Sequence, residues 1–302
     1  MKLTEPVICR IKEYELPFLE KKHREMKVVC LGDLHINPKS SRKQLSLIEE
    51  KIKGIRPDFI ILQGDLIDSP EYLDNPYALK VLEEELSFFS KTAKTVTTLG
   101  NHDIMSSVHR QRTEKPVFPE KIVEKWERIT RKTGVKLLLD DWEEMGNLRV
   151  FGFFQDKKCL EKDEKPRENL GEMEKKLKKL AKKGELLTKP GKINWFFSHM
   201  PIKGLVEMDE LKGFEVFSFG HTHGGCVPIG VDKIIDRAKI NRGLIGPDKK
   251  LFPKTQMRGI KILPNRARVI VNSGMTGVSS VGPKVIQGAN FLKAAEITVV
   301  KF

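Results

Sequence analysis

Five short, mostly apolar runs punctuate the chain, and each ends abruptly on polar residues. They are Lys27–Leu31, Phe59–Leu62, Thr95–Leu99, Ile193–Phe197 and Phe214–Phe219. Their length and continuous apolarity predict strands buried on both faces rather than half-exposed ribbons. Between them lie segments with apolar residues at helical spacing: Leu45–Ile52, Leu79–Leu86, Lys121–Lys132 and Glu172–Gly184. In the last of these, Met173, Leu177 and Leu180 share one stripe and Gly184 supplies the stop, so an amphipathic crossover helix is expected. Two further runs, Val135–Leu139 and Leu148–Phe153, read as strands. Strands alternating with helices predict an α/β fold with largely parallel sheets.

The polar residues that end the five apolar runs carry the candidate chemistry. They read Gly32-Asp33-Leu34-His35, Gly64-Asp65-Leu66-Ile67-Asp68, Gly100-Asn101-His102-Asp103, Ser198-His199-Met200-Pro201 and Gly220-His221-Thr222-His223-Gly224-Gly225. Carboxylate, amide and imidazole donors in this number suffice for two divalent cations side by side, and such pairs hydrolyse phosphate esters. In open α/β sheets, loops converge at the carboxyl ends of strands, where each of these motifs falls. The glycines Gly32, Gly64, Gly100 and Gly220 are expected to let the backbone turn sharply beside a ligand. A lone Asp33 would read as a helix cap and a lone His199 as a satisfied turn histidine. Five motifs in order at five strand ends make those readings untenable.

The set resembles the calcineurin-like metallophosphoesterase family, whose pattern runs Asp-x-His, Gly-Asp, Gly-Asn-His-Asp/Glu, an isolated His, and Gly-His-x-His. It covers roughly residues 26–300. A closer resemblance is to bacterial phosphohydrolases related to UDP-2,3-diacylglucosamine hydrolases, through His221–Gly225, Val271-Asn-Ser-Gly274 and the Ala295–Val300 strand. Cys226 stands where that subgroup carries Gln, and the subgroup's membrane anchor has no counterpart. The resemblance implies a two-sheet β-sandwich flanked by helices, an αββα four-layer single domain over residues 1–302. It implies that Asp65 bridges two metals, with Asp33, His35 and His223 completing one ligand set and Asn101, His199 and His221 the other. His102 would protonate the leaving oxygen, and Asp103 would hold its ring in the productive tautomer. Asp68 is expected to be a supporting carboxylate, not a ligand. A water bridging two dications has a lowered pKa, so no serine or cysteine nucleophile is required. The donor set suits Mn²⁺, Fe²⁺ or Zn²⁺.

Composition refines this picture in three places. The chain of 302 residues carries a formal charge of +14, and residues 231–268 hold eleven Lys or Arg against three Asp, a net of +8. That basic, turn-rich stretch is expected to be a loop forming one wall of the cleft, with a plain solvated loop as the alternative. Cys9, Cys30, Cys159 and Cys226 show no Cys-x-x-Cys pairing, which fits a reducing compartment. Residues 1–25 read as a strand-like extension with scattered charges, and no segment reaches the roughly 20 apolar residues that span a bilayer. A cytoplasmic enzyme is expected.

The leading expectation is therefore a dinuclear phosphohydrolase acting on a small anionic phosphorylated substrate. A metal-dependent nuclease is the alternative, opposed by only three Trp and three Tyr for base stacking. A scaffold without turnover ranks last, because every ligand and the acid are present. His23 reads as a surface-turn residue, His109 as a candidate substrate contact, and Cys226 as a buried thiol.

Overall fold

A computed structural model describes residues 9–16, 26–106, 117–162, 165–166, 169–202, 204–223, 259–275 and 295–302. Within them, two six-stranded mixed sheets stack face to face. The first contains β1 (Cys9–Glu15), β2 (Lys27–Leu31), β3 (Phe59–Leu62), β4 (Lys94–Thr97), β5 (Lys136–Leu137) and β14 (Ala295–Lys301), in the order β1-β14-β2-β3-β4-β5. The second contains β6 (Asp141–Met145), β7 (Leu148–Gly152), β10 (Ile193–Ser198), β11 (Val216–Phe219), β12 (Gly259–Ile262) and β13 (Arg268–Val271), ordered β12-β13-β11-β10-β7-β6. A two-residue ribbon, β8 (Glu161–Lys162) with β9 (Lys165–Pro166), stands apart. The central strands β2 to β5, and separately β7, β10, β11 and β13, pair in parallel. All their carboxyl ends in a sheet therefore point the same way, which is how five separate motifs reach one edge.

The continuous apolarity of the strands has the expected cause. In β2, Val28 and Cys30 join the core between the sheets while Val29 and Leu31 join the helix-covered layer. Trp195, Phe197 and Val216 meet Phe59, Ile61 and Val96 across the sandwich. The helices α1 (Arg42–Ile55), α2 (Pro76–Thr92), α4 (Ile122–Thr133) and α6 (Leu170–Lys182) bury stripes such as Leu45, Ile48 and Ile52, or Met173, Leu177 and Leu180. Single turns of helix, α3 (Asn101–Ile104) and α5 (Lys157–Leu160), lie between them in the chain. The ends of the longer helices are chemically marked. Asn75 accepts from the Tyr77 and Ala78 N–H groups to open α2, and Gly134 closes α4 at φ 77°. No helix among the described residues is long and apolar enough to cross a membrane.

Two stretches differ from expectation. The basic segment 231–268 is not a loop throughout: Gly259–Ile262 forms β12, antiparallel to β13, so its last part is a hairpin at the sheet edge. Residues 231–258 of that segment lie outside the described residues. Strand β6, which carries Trp142 between charged residues, had no apolar run to announce it and forms as the antiparallel edge beside β7.

Packing of α1 against α2 encloses a carboxylate. Glu85 is fully buried, and its Oε1 lies 2.8 Å from Arg42 Nη1. Arg42 also faces Glu49 at 3.8 Å and Glu84 at 3.5 Å, so one guanidinium serves three carboxylates. Burial and the neighbouring Glu49 push the Glu85 carboxyl up to about 8, with Arg42 opposing. In the unfolded chain it ionises near 4.3. Between those values the folded protein holds a proton that the unfolded chain releases, so raising the pH through this window destabilises the fold. Glu85→Gln keeps an acceptor for Arg42 and removes the charge. Thermal unfolding followed across that window should show the variant gaining on the parent as pH rises, with little difference at the acid end. A constant offset at all pH values would contradict the assignment.

Candidate metal centre

The backbone of the strand-end loops is bent at the candidate ligands themselves. Asp33, His35, Asp65, His221 and His223 all adopt left-handed φ, between 46° and 66°. Each such non-glycine residue costs on the order of 1–2 kcal/mol. Of Gly32, Gly64, Gly100 and Gly220, only Gly64 is left-handed, at φ 82°. Gly100 matters for another reason: a Cβ there would collide with the Asp65 carboxylate and backbone N–H. The strained turns are held by hydrogen bonds that continue the parallel pairing beyond the strands. Asp33 N donates to Gly64 O, His35 N to Asp65 O, and Ile36 N to Leu66 O, each at 3.0 Å.

These turns bring the predicted donors of both sets together. In the second set, His199 Nε2 lies 3.0 Å from Asp65 Oδ2, 3.1 Å from Asn101 Oδ1 and 3.1 Å from His221 Nδ1. In the first, His35 Nε2 lies 3.3 Å from His223 Nε2 and 3.6 Å from Asp65 Oδ2, and His223 Nε2 lies 3.8 Å from Asp33 Oδ1. Asp65 Oδ2 belongs to both groups. Its other oxygen, Oδ1, accepts the His102 N–H at 2.8 Å, so a single carboxylate oxygen faces both clusters.

Ring orientation is fixed from behind. His199 Nδ1 donates to Gln63 O at 2.8 Å, and His35 Nδ1 donates to Asp68 Oδ1 at 3.1 Å. With one proton committed there, each ring in its neutral form presents an Nε2 lone pair inward. Asp68 also serves His102, whose Nδ1 donates to Asp68 O at 2.8 Å. Here the expectation for Asp103 is corrected. Its carboxylate does not hold the His102 ring; it accepts backbone N–H groups of Gly100 (2.7 Å), Asp65 (2.8 Å), Leu66 (2.9 Å) and Ile67 (3.1 Å). Asp103 is thus a clasp between two ligand loops, and the residue that steadies His102 is Asp68. The sequence separation of three from Asp65 to Asp68 could not reveal this, because the contact spans loops 34 residues apart.

Electrostatics show what the clusters accept. Burial alone would lower the His199 pKa, but the Asp65 carboxylate, with Asp33 and the Gln63 carbonyl, lifts it to about 9. Burial works against ionisation of Asp65, yet His199, His102 and His35 hold it well below the usual carboxylate range. Asp33 is pushed up by burial, with Asp65 adding and the imidazoles opposing. Burial and Asp65 push Asp103 up to about 7 against its backbone donors. The pocket favours added positive charge. The Nε2 atoms of His35 and His223, 3.3 Å apart, and His199 Nε2, 3.0–3.1 Å from carboxylate and amide oxygens, are contacts that a shared proton or a cation between them would satisfy. Donors bound at about 2.0–2.2 Å to one ion are separated by about 3.0–3.5 Å, so the spacing fits divalent metals. Asp33, His35 and His223 form one candidate triad and Asp65, His199 and His221 another; a third joins His102 to His35 and Asp65.

One supporting segment carried no site role at the level of sequence. Asn272 Nδ2 donates to Cys30 O at 2.7 Å and its Oδ1 accepts Gly274 N at 2.8 Å, which seats Gly274 against Asp33. Gly274 has φ 75°, and a Cβ there would stand 2.6 Å from Asp33 Oδ2. The apolar Arg268–Val271 run before Asn-Ser-Gly was the available signal. His23, His109 and Cys226 lie outside the described residues.

The family model for calcineurin-like phosphoesterases matches residues 26–225. A metallophosphoesterase of Campylobacter jejuni, described as uncharacterized, is 26% identical over 218 residues, 71% of this chain and 48% of that protein. The chain thus spans about half the length of the curated relative it matches. Among solved structures, a Thermus thermophilus protein aligns over 83% of this chain and 90% of its own, with TM-score 0.44 and 12% identity. A dimetal phosphatase from Danio rerio aligns over 82% and 87%, with TM-score 0.42 and 11% identity. The matched span runs from before Asp33 to beyond His223 and takes in every strand-end motif. This chain belongs to the calcineurin-like phosphoesterase family.

Proposed function

We propose that the protein is a dinuclear metal-dependent phosphohydrolase acting on a small anionic phosphorylated substrate. The observation that carries this reading is Asp65 Oδ2, which faces both donor clusters while Oδ1 is tied to a backbone N–H. Asp33, His35 and His223 would hold one divalent ion and Asn101, His199 and His221 the other, with Asp65 shared. Such a pair, when bound, supplies Lewis acidity and a water acidified towards neutrality. Mn²⁺, Fe²⁺ and Zn²⁺ all suit these donors.

The residues of the chain supply the rest. Imidazole and amide ligands keep the summed negative charge low, so that a phosphate dianion is not repelled. His102 is mostly buried, and its Nδ1 is committed to Asp68 O. The proton it can give is therefore on Nε2, and we assign it the role of general acid towards the leaving oxygen. Asp103 keeps the Asp65 and Asn101 loops at a fixed distance from one another. A nucleotide-sugar lipid precursor belongs in the substrate screen because of the subgroup resemblance, together with mononucleotides and cyclic nucleotides. Cytoplasmic location fits the cysteine usage. A nuclease is the second reading, favoured by the chain's charge of +14. A nuclease tracking many phosphates loses affinity steeply with salt, whereas a small-substrate enzyme does not.

Two substitutions separate ligand from acid. Asp65→Asn should abolish turnover and lower bound metal, because the shared charge is lost from both clusters. His102→Ala should keep its metal and lose roughly 10²–10⁴-fold in kcat, the range for a positioned acid. A nitrophenyl ester, whose leaving group needs little protonation, should recover part of that loss. Metal content measured by plasma mass spectrometry decides the matter: equal metal loss in both variants would move His102 into the ligand set.

A further inference from the structure

The donor set leaves open what holds His199 in place once its strand has ended. His199 follows directly on β10, and Pro201 two residues later has no N–H to offer. The His199 carbonyl is taken by Gly220 N at 2.9 Å, from the β11 side. On the opposite, β7 side no backbone continues the ladder beyond Phe153 N, which donates to Phe197 O at 2.9 Å. A side chain takes its place. Gln155 Oε1 accepts Met200 N at 2.7 Å and Gln155 Nε2 donates to Met200 O at 3.0 Å. The planar amide offers one acceptor and one donor in the arrangement of a strand residue, and so pairs with Met200 as a neighbouring strand would.

Gln155 is itself firmly seated. It is 2% exposed, and its Nε2 also rests 3.7 Å from Met173 Sδ. The residues on either side are fastened to α6 and to the loop before β6. Lys176 Nζ donates to Phe154 O at 2.5 Å and pairs with Asp156 at 3.0 Å and Asp140 at 2.7 Å. Phe154 N donates to Asp140 Oδ1 at 3.0 Å. Met200 O is doubly held, since Ser198 Oγ donates to it at 3.0 Å as well.

From this geometry we infer that Gln155 is a positioning residue for His199, and through it for one of the two metal positions, the one shared by Asn101, His199 and His221. The inference rests on the two-ion reading above. Asp33 and His35 are carried by the β2 loop, with which the Gln155 amide shares no hydrogen bond, and His223 by the β11 loop, joined to the His199 backbone one step further off through Gly220 N. Loss of the amide should therefore weaken one ion and spare the other. Residues behind a metal ligand typically alter affinity by roughly 10–100-fold.

The test is a stepwise Mn²⁺ titration of the 302-residue chain, followed by electron paramagnetic resonance, which separates an isolated Mn²⁺ from a coupled pair. Gln155→Leu should bind one ion as the parent does and the other roughly 10–100-fold more weakly. At one equivalent per chain it should show the isolated-ion spectrum, and the coupled signal should return only at high Mn²⁺. Gln155→Glu guards against a misfolded Leu variant. Its neutral acid can both donate and accept, whereas its carboxylate can only accept, so its deficit relative to the parent at the same pH should shrink as pH falls. Calorimetry without metal reports the purely structural cost of each change. Equal weakening of both ions, no weakening of either, or a pH-independent deficit in Gln155→Glu would overturn the assignment. A parent that binds only one ion would overturn the two-ion reading, and that result is read on the unmutated chain.

Discussion

Everything at the ligand edge follows from burying like charges close together. Asp33, Asp65, Asp68 and Asp103 are each no more than 1% exposed and lie within one constellation of loops. A buried carboxylate without compensation is expensive, and several in one place repel each other. The structure meets this in two chemically distinct ways. Asp103 is neutralised in effect by four backbone N–H groups, and Asp68 by the His35 imidazole, so these two remain inside the protein's own hydrogen bonding. Asp33 and Asp65 also turn oxygens towards imidazole nitrogens, an arrangement that added positive charge, on the rings or as a cation, stabilises.

That division also explains the strained backbone. Regular strands would point their terminal side chains alternately to the two faces of a sheet. Five candidate ligand residues instead take left-handed φ, which aims successive donors at the same point. The cost is offset by the loop-to-loop hydrogen bonds from Asp33 to Gly64, His35 to Asp65 and Ile36 to Leu66, and by the Asp103 clasp. Glycine enters mainly as absence of a side chain: Gly100 and Gly274 make room for the Asp65 and Asp33 carboxylates.

Much of this was legible in the residues, because strand-end motifs announce themselves locally. The five apolar runs became β2, β3, β4, β10 and β11, and the four amphipathic segments became α1, α2, α4 and α6. What escaped were features set by contacts between distant segments. Strand β6 has mixed polarity because only β7 recruits it, and β12 was hidden in a basic stretch whose alternation of Ile260, Lys261 and Ile262 is too short to read. The partner of the His102 ring escaped for the same reason: it is the backbone carbonyl of Asp68, whose carboxylate turns to His35, and spacing alone cannot reveal a backbone acceptor from another loop. Gln155 lies between Phe154 and Asp156, in no motif, and its partner is 45 positions away.

The central claim is that one oxygen of Asp65 faces two cations. Crystals grown with Mn²⁺ and measured on both sides of the Mn absorption edge address it directly. The account predicts two anomalous peaks per chain about 3.5–4 Å apart, the spacing of hydrolytic metal pairs, with Asp65 Oδ2 in contact with both. A single peak, or two with Asp65 bound to only one of them, would contradict it.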